Sequence, residues 1–151
     1  MTRIEATEER ALYVPISPQK AYEFFSQPEQ LSQAMEGVQQ CEVLEGGMVH
    51  WVLEEKREQG IRFQPDYVMV LNGDGVRHVT WRTVQGNMGD TGDVWVDPLP
   101  DGGSRIRYLQ TVEPDLPITP LMARLLKPLV ARELRNDVLR FLERAQQILS
   151  K

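Results

Sequence analysis

The spacing of apolar residues changes period three times along the chain, and each change marks a new kind of element. Ile4, Ala6, Leu12 and Val14 share one parity and predict a strand over residues 3–14, with Glu8 and Arg10 breaking the pattern. Ser17-Pro18 then reads as a helix start, with serine as N-cap and proline as first helical residue. Ala21, Phe24 and Phe25 form the inward stripe of that helix. Pro28 interrupts it, and Pro28 to Met35 predicts a second short helix ending near Gly37.

Residues 38–114 alternate with period two and predict six strands. They run from Val38 to Leu44, through Val49, Trp51 and Leu53, and from Ile61 to Leu71 with Phe63, Tyr67, Met69 and Leu71 on one face. Val79, Trp81 and Thr83 mark the fourth, Val94 and Val96 the fifth, and Ile106, Tyr108, Gln110 and Val112 the sixth. Gly46-Gly47, Gln59-Gly60, Asn72-Gly73-Asp74-Gly75 and Pro100 to Gly103 supply turns between them. Strands this short, joined this tightly, pair antiparallel. From Pro117 the period becomes helical: Ile118, Met122, Leu125, Leu129, Leu134, Val138, Phe141, Ala145 and Ile148 define one amphipathic helix of about 30 residues. Pro120 falls in its first turn, and Pro128 is expected to kink it.

The elements describe an α+β fold in one domain over residues 1–151. A seven-stranded curved antiparallel sheet wraps a long C-terminal helix, with two short helices after the first strand. Only the C-terminal helix is large enough to cover the sheet, so the room between them is the expected functional site.

Composition narrows the setting. A chain of 151 residues with 41% hydrophobic and 26% charged residues suits a soluble globular domain. The single cysteine, Cys41, excludes an internal disulfide. No apolar run is long enough to span a membrane, and the first ten residues look like no secretory signal, so a cytoplasmic address is expected. The net charge of −5 argues against nucleic acid as partner. Six Lys/Arg against three acids in residues 118–149 make the C-terminal segment basic on an acidic body. That face is a candidate for transient contact with a membrane surface or a protein, or simply a solvated surface.

The stretch Val84 to Asp97, V-Q-G-N-M-G-D-T-G-D-V-W-V-D, mimics two active-site motifs. As a phosphate loop it fails because a strand, Val94-Trp95-Val96, follows the glycines where a helix start is required. As an aspartic-protease motif, Asp90-Thr91-Gly92 lacks the second aspartate that must share its proton. It is read as a glycine-bearing loop tolerant of positive φ. His50, His78 and Cys41 lack metal-ligand spacing, so no metal and no cofactor is expected. Cys41 reads as a small buried hydrophobe, and no inward Glu/His pair is evident.

Three stretches carry a resemblance. I-S-P-Q-K-A-Y-E-F-F-S-Q-P-E-Q-L, V-T-W-R-T-V-Q-G-N-M-G-D-T-G-D-V-W-V and S-R-I-R-Y-L-Q-T-V-E-P resemble the opening helix, paired-strand and last-strand patterns of the START-like (SRPBCC, birch-pollen-allergen-like) superfamily. The likeness is to its bacterial polyketide cyclase/dehydrase and lipid-transport-like subgroup. Val96, and Val112-Glu113 before Pro114, depart from its usual aromatic positions. The resemblance implies a helix-grip fold and a cavity for a lipid, isoprenoid, quinone or polyketide. By parity the ligand-binding candidates are Phe25, Met35, Trp51, Phe63, Tyr67, Met69, Trp81, Thr83, Tyr108, Gln110, Met122, Leu125 and Leu129. Carriage of a hydrophobic small molecule is the leading reading. A cyclase/dehydrase-type enzyme, with Tyr67, Tyr108 or His50 moving protons, is the alternative, and a partner-binding module is the third. Pro128 and the loop around Gly86 to Gly92 are the expected gates.

Overall fold

A computed structural model describes residues 1–151. The first strand is split into β1 (Thr2–Arg3) and β2 (Ala6–Val14). Ile4 between them turns inward, donates its backbone N–H to Pro114 and packs on Leu116 and Ala123. Helix α1 (Pro18–Ser26) starts where Ser17 caps it, its Oγ accepting from the Lys20 N–H, and buries Ala21, Phe24 and Phe25. Helix α2 (Pro28–Ala34) follows after one residue.

The remaining strands are β3 (Val38–Val43), β4 (Met48–Leu53), β5 (Lys56–Glu58), β6 (Ile61–Phe63), β7 (Asp66–Gly73), β8 (His78–Gly86), β9 (Met88–Pro98) and β10 (Ser104–Leu116). All pairings are antiparallel. The order across the sheet is β2-β10-β9-β8-β7-β4-β3, with β1 continuing the line of β2 along β10. This is the seven-stranded sheet that the alternation predicts, plus a separate β5–β6 hairpin that it does not. The expected strand from Ile61 to Leu71 is broken because Pro65 has no N–H to give to a ladder. Its carbonyl instead accepts from Leu53, and Asn87 pins the break by donating to Gln64 and accepting from the Asp66 N–H.

Helix α3 (Pro120–Leu149) is capped by Thr119 and runs through Pro128 as one helix. Its buried stripe is Ala123, Leu134, Val138, Leu142, Ala145 and Leu149, spaced three, four or a multiple of turns apart. The C-terminal half closes the main core with α1 and the β2, β9 and β10 side of the sheet. Val49, Trp51, Tyr67 and Met69 form a second cluster on β4 and β7. Because α3 lies nearest β2, β1 and α2, it does not cover that second half of the sheet. The fold is therefore a helix grip with a gap left inside the grip.

Candidate functional site

The gap is a cavity of about 500 Å³ between the concave face of the sheet, α2 and α3, lined mostly by apolar side chains. Aromatic rings build one wall in sequence. Trp81 lies 5.7 Å from Tyr108, Tyr108 lies 5.5 Å from Phe141, and Phe141 lies 6.4 Å from Phe25. Met69, Trp51, Phe63, Leu129 and Met35 also line the cavity. Trp51 Nε1 is fully shielded and finds no hydrogen-bond partner.

A polar cluster centred on Asp90 interrupts this lining. Asp90, on β9, is only 4% exposed. Its Oδ1 accepts from Trp81 Nε1 at 2.8 Å and from Gln110 Nε2 at 3.0 Å, and its Oδ2 accepts from the Tyr67 hydroxyl at 2.9 Å. Gln110 is itself oriented by the Tyr108 hydroxyl, which donates to Gln110 Oε1 at 2.9 Å. Thr83 Oγ1 accepts the Asp90 N–H at 2.8 Å and donates to the Met88 carbonyl at 3.0 Å. Removal from water pushes the Asp90 carboxyl above its ordinary value of 3.8, against the three donors that favour the anion. Burial, reinforced by the Asp90 charge, holds the Tyr67 and Tyr108 hydroxyls well above 10. Both tyrosines are thus neutral donors at ordinary pH, unsuited to accept a proton.

The stretch expected to be a loop is the hairpin that carries this aspartate. Only Gly86 sits at positive φ, +122°, and a Cβ there would lie 2.5 Å from Tyr67 Cα. From Met88 onward the chain is strand, and Asp90 shares the inward parity of Val94 and Val96. Gly92 is required by close approach. A Cβ on it would fall 2.2 Å from the Trp81 ring and 2.4 Å from the Leu109 carbonyl. The Asp-Thr-Gly triplet therefore places an aspartate in the wall and a gap for the indole that binds it.

Several sequence candidates are corrected. Thr83 does not line the cavity, because its hydroxyl is turned onto the β9 backbone. Met122 and Leu125 are 38% and 65% exposed. The inward line of α3 at that level runs through Ala123, Leu126 and Val130, roughly one residue step of about 100° away. His50 points to the outer face and meets Asp66 at 2.7 Å, so it has no access to the cavity. Trp95 lies on the outer face, stacked on His78 and under Arg107. No group of three His, Cys, Asp or Glu is placed to hold a metal ion.

The opening is ringed by charge. Glu36, Glu54, Glu55, Glu58, Glu133 and Asp137 face Lys56, Arg57 and Arg140. Each cation is already engaged: Lys56 with Asp137 and Glu133, Arg57 with Glu55, Arg140 with Glu36 and Asp137. The basic surface of α3 divides accordingly. Arg140 and Arg144 pair with Glu36, whereas Arg124, Lys127 and Arg132 make no ion pair and flank the exposed Leu121, Met122 and Leu125.

The chain belongs to the polyketide cyclase/dehydrase and lipid transport family, whose model matches residues 1–146. No protein of curated function matches it in sequence. Among solved structures it is similar to TTHA0849 from Thermus thermophilus, at 21% identity and a TM-score of 0.70 over 95% of this chain and 94% of that one. A START superfamily protein from Mycobacterium smegmatis is similar at 16% identity and a TM-score of 0.67, over 94% of this chain and 98% of that one. The di-domain ARO/CYC StfQ from the steffimycin biosynthetic pathway is similar at 15% identity and a TM-score of 0.67, over 97% of this chain and 51% of that one. At these identities the likeness establishes the fold.

Proposed function

We propose that the protein binds a largely apolar small molecule in the cavity between its sheet and α3. The cavity itself carries this reading. Protein interiors are packed with few voids larger than a water molecule. A 500 Å³ space lined chiefly by apolar groups falls within the ~300–1,000 Å³ typical of small-molecule sites. The family description, with its cyclase, dehydrase and lipid-transport members, agrees with such a ligand.

A carbonyl-free alkylnaphthalene fluorophore tests this directly. Wild type should bind it saturably, and Leu129→Trp, which places an indole in the cavity from half-buried Leu129 on α3, should weaken binding at least about tenfold, roughly 1.4 kcal/mol. Equal binding by both proteins, or none by wild type, rejects the cavity as the site. Phe25, Met35, Trp51, Phe63, Tyr67, Met69, Trp81, Tyr108, Gln110 and Leu129 are the proposed contacts.

The β5–β6 hairpin is the proposed lid, in place of the Gly86 to Gly92 segment, which is locked in the sheet. The hairpin is held to α3 by Lys56, with both partners substantially exposed, and by Phe63, which packs on the Ile4, Leu116 and Ala123 cluster. Exposed ion pairs contribute about 0–1 kcal/mol, so the ionic part of the latch opens readily. Lys56→Ala should speed dissociation of the fluorophore up to about fivefold by stopped flow. An unchanged rate would leave the hairpin with no gating role.

A second reading, a cyclase- or dehydratase-type enzyme, is favoured by one observation: Asp90 puts a titratable acid in the cavity wall. In that reading Asp90 gives a proton to the bound molecule, and Tyr67 and Tyr108 hold the acid rather than move protons themselves.

A further inference from the structure

Asp90 presents an accounting problem. A carboxylate has about four acceptor positions. Trp81 and Gln110 fill both on Oδ1, and Tyr67 fills one on Oδ2. One position on Oδ2 is left, and no protein donor or acceptor meets it. No cation offsets the charge either, since the three cations of the cavity lining are paired at the opening. An anion buried in an apolar wall with no cation beside it carries a cost that its three donors offset only in part, and burial raises the carboxyl toward the neutral acid. A proton on this carboxyl has one place to sit, the remaining Oδ2 position, because both Oδ1 positions are taken. A buried O–H without an acceptor is itself unfavourable. The cavity is the space from which an acceptor can arrive.

The chemistry of that acceptor is constrained. A carboxylate-headed lipid would bring a negative charge past six acids at the opening and bury it in an apolar wall with no free cation in reach. A neutral molecule whose carbonyl oxygen sits among carbon atoms meets none of these penalties. It supplies the acceptor that the free Oδ2 position lacks, and apolar burial takes the rest of it. The donor is also held rigidly. Thr83 fixes the Asp90 backbone, while Tyr67, Trp81 and Gln110 fix the carboxyl, the last of these set in turn by Tyr108. An oriented donor in a mostly apolar pocket gives specificity that burial alone cannot.

We propose that Asp90 is the polar anchor of the cavity: it donates its carboxyl proton to the carbonyl oxygen of a neutral, otherwise apolar ketone ligand, and the site refuses carboxylate-headed lipids. This rests on the cavity-binding reading above and adds to it the ligand class and the residue that selects it.

The test uses a matched pair of fluorophores, 6-propionyl-2-dimethylaminonaphthalene and the analogue in which a methylene replaces its carbonyl. Wild type should bind the ketone at least about tenfold tighter than the analogue, with the emission shifted as for a hydrogen-bonded carbonyl. Asp90→Leu should bind both equally. Asp90→Asn, which keeps an acceptor for Trp81 and Gln110 and a donor toward the ligand, should retain the preference and confirms that the fold tolerates change at this position. Palmitate should displace neither probe. A ketone preference that survives in Asp90→Leu, no preference in wild type, or displacement by palmitate each overturns the anchor. Failure of wild type to bind either probe overturns instead the cavity reading, and the anchor with it.

Discussion

Replacing Gly92 by alanine will unseat Trp81 and lower the unfolding free energy by about 2–4 kcal/mol. The added Cβ lands 2.2 Å from the indole and 2.4 Å from the Leu109 carbonyl. The ring can rotate away, but the carbonyl belongs to β10, paired with β9 through Gln110 opposite Gly92. Either the strands separate locally or the indole leaves, and the second outcome removes the Trp81 donor from buried Asp90. For a chain of this size about 3 kcal/mol corresponds to a fall in Tm of roughly 6–12 °C. The internal comparison is Gly89→Ala on the same strand, where the new Cβ meets only Glu113, its Cβ at 3.2 Å and its carbonyl oxygen at an ordinary 3.8 Å. It should change Tm by no more than a few degrees. Equal Tm values for the two variants would show that Trp81 is not seated through Gly92.

The fold was legible because its periods are unbroken where packing demands them. β10 alternates over thirteen residues, and α3 keeps one face inward over thirty. A surface buried against a partner leaves that imprint on the sequence. Boundaries were less legible where one residue or one proline interrupts a strand. The breaks at Ile4-Glu5 and Gln64-Pro65 depend on contacts with residues more than twenty positions away, Pro114 and Asn87. On α3 the sequence stripe is wide, and only the position of the sheet decides that Ala123 and Leu126 face inward while Met122 and Leu125 do not.

The site was half legible for a different reason. Gln110, Tyr108, Tyr67 and Trp81 follow from parity, since each lies on a strand whose apolar neighbours identify the concave face. Asp90 was overlooked because Gly86, Gly89 and Gly92 signal a loop, and a loop has no parity to read. The signal was nonetheless present. Met88, Asp90, Gly92, Val94 and Val96 form one alternating series, and two members are valines fully buried beside the aspartate. Gly92 is there for want of space rather than for turning. Glycine frequency alone does not distinguish a turn from a close approach.

The largest pH effect should come from Asp90→Asn. A carboxyl whose value is raised on folding binds its proton more tightly in the folded chain than in the unfolded one. The folded state is then most favoured below 3.8, where the unfolded carboxyl is also protonated. As pH rises above that value the unfolded chain gives up the proton first, and wild type loses stability until the folded carboxyl ionises as well. Asparagine does not titrate, so the stability of Asp90→Asn relative to wild type should rise by about 1.4 kcal/mol per pH unit through this window. Groups facing Asp90 do not obscure the measurement. Tyr67 on β7 and Tyr108 on β10 stay protonated well above 10, β8 presents only Trp81 and Thr83, and Glu133, Asp137 and Arg140 of α3 lie at the opening in both proteins. Urea titrations of the two proteins from pH 4 to pH 8 measure the difference. Parallel curves would mean that Asp90 is ionised in the folded state as readily as in water. The three donors around it would then outweigh its burial, and a proton for a ligand's carbonyl would have to come from elsewhere in the wall. Diverging curves would instead show that the fold tolerates a destabilising acid at one point of its cavity, the pattern expected where a binding site rather than the core has chosen the residue.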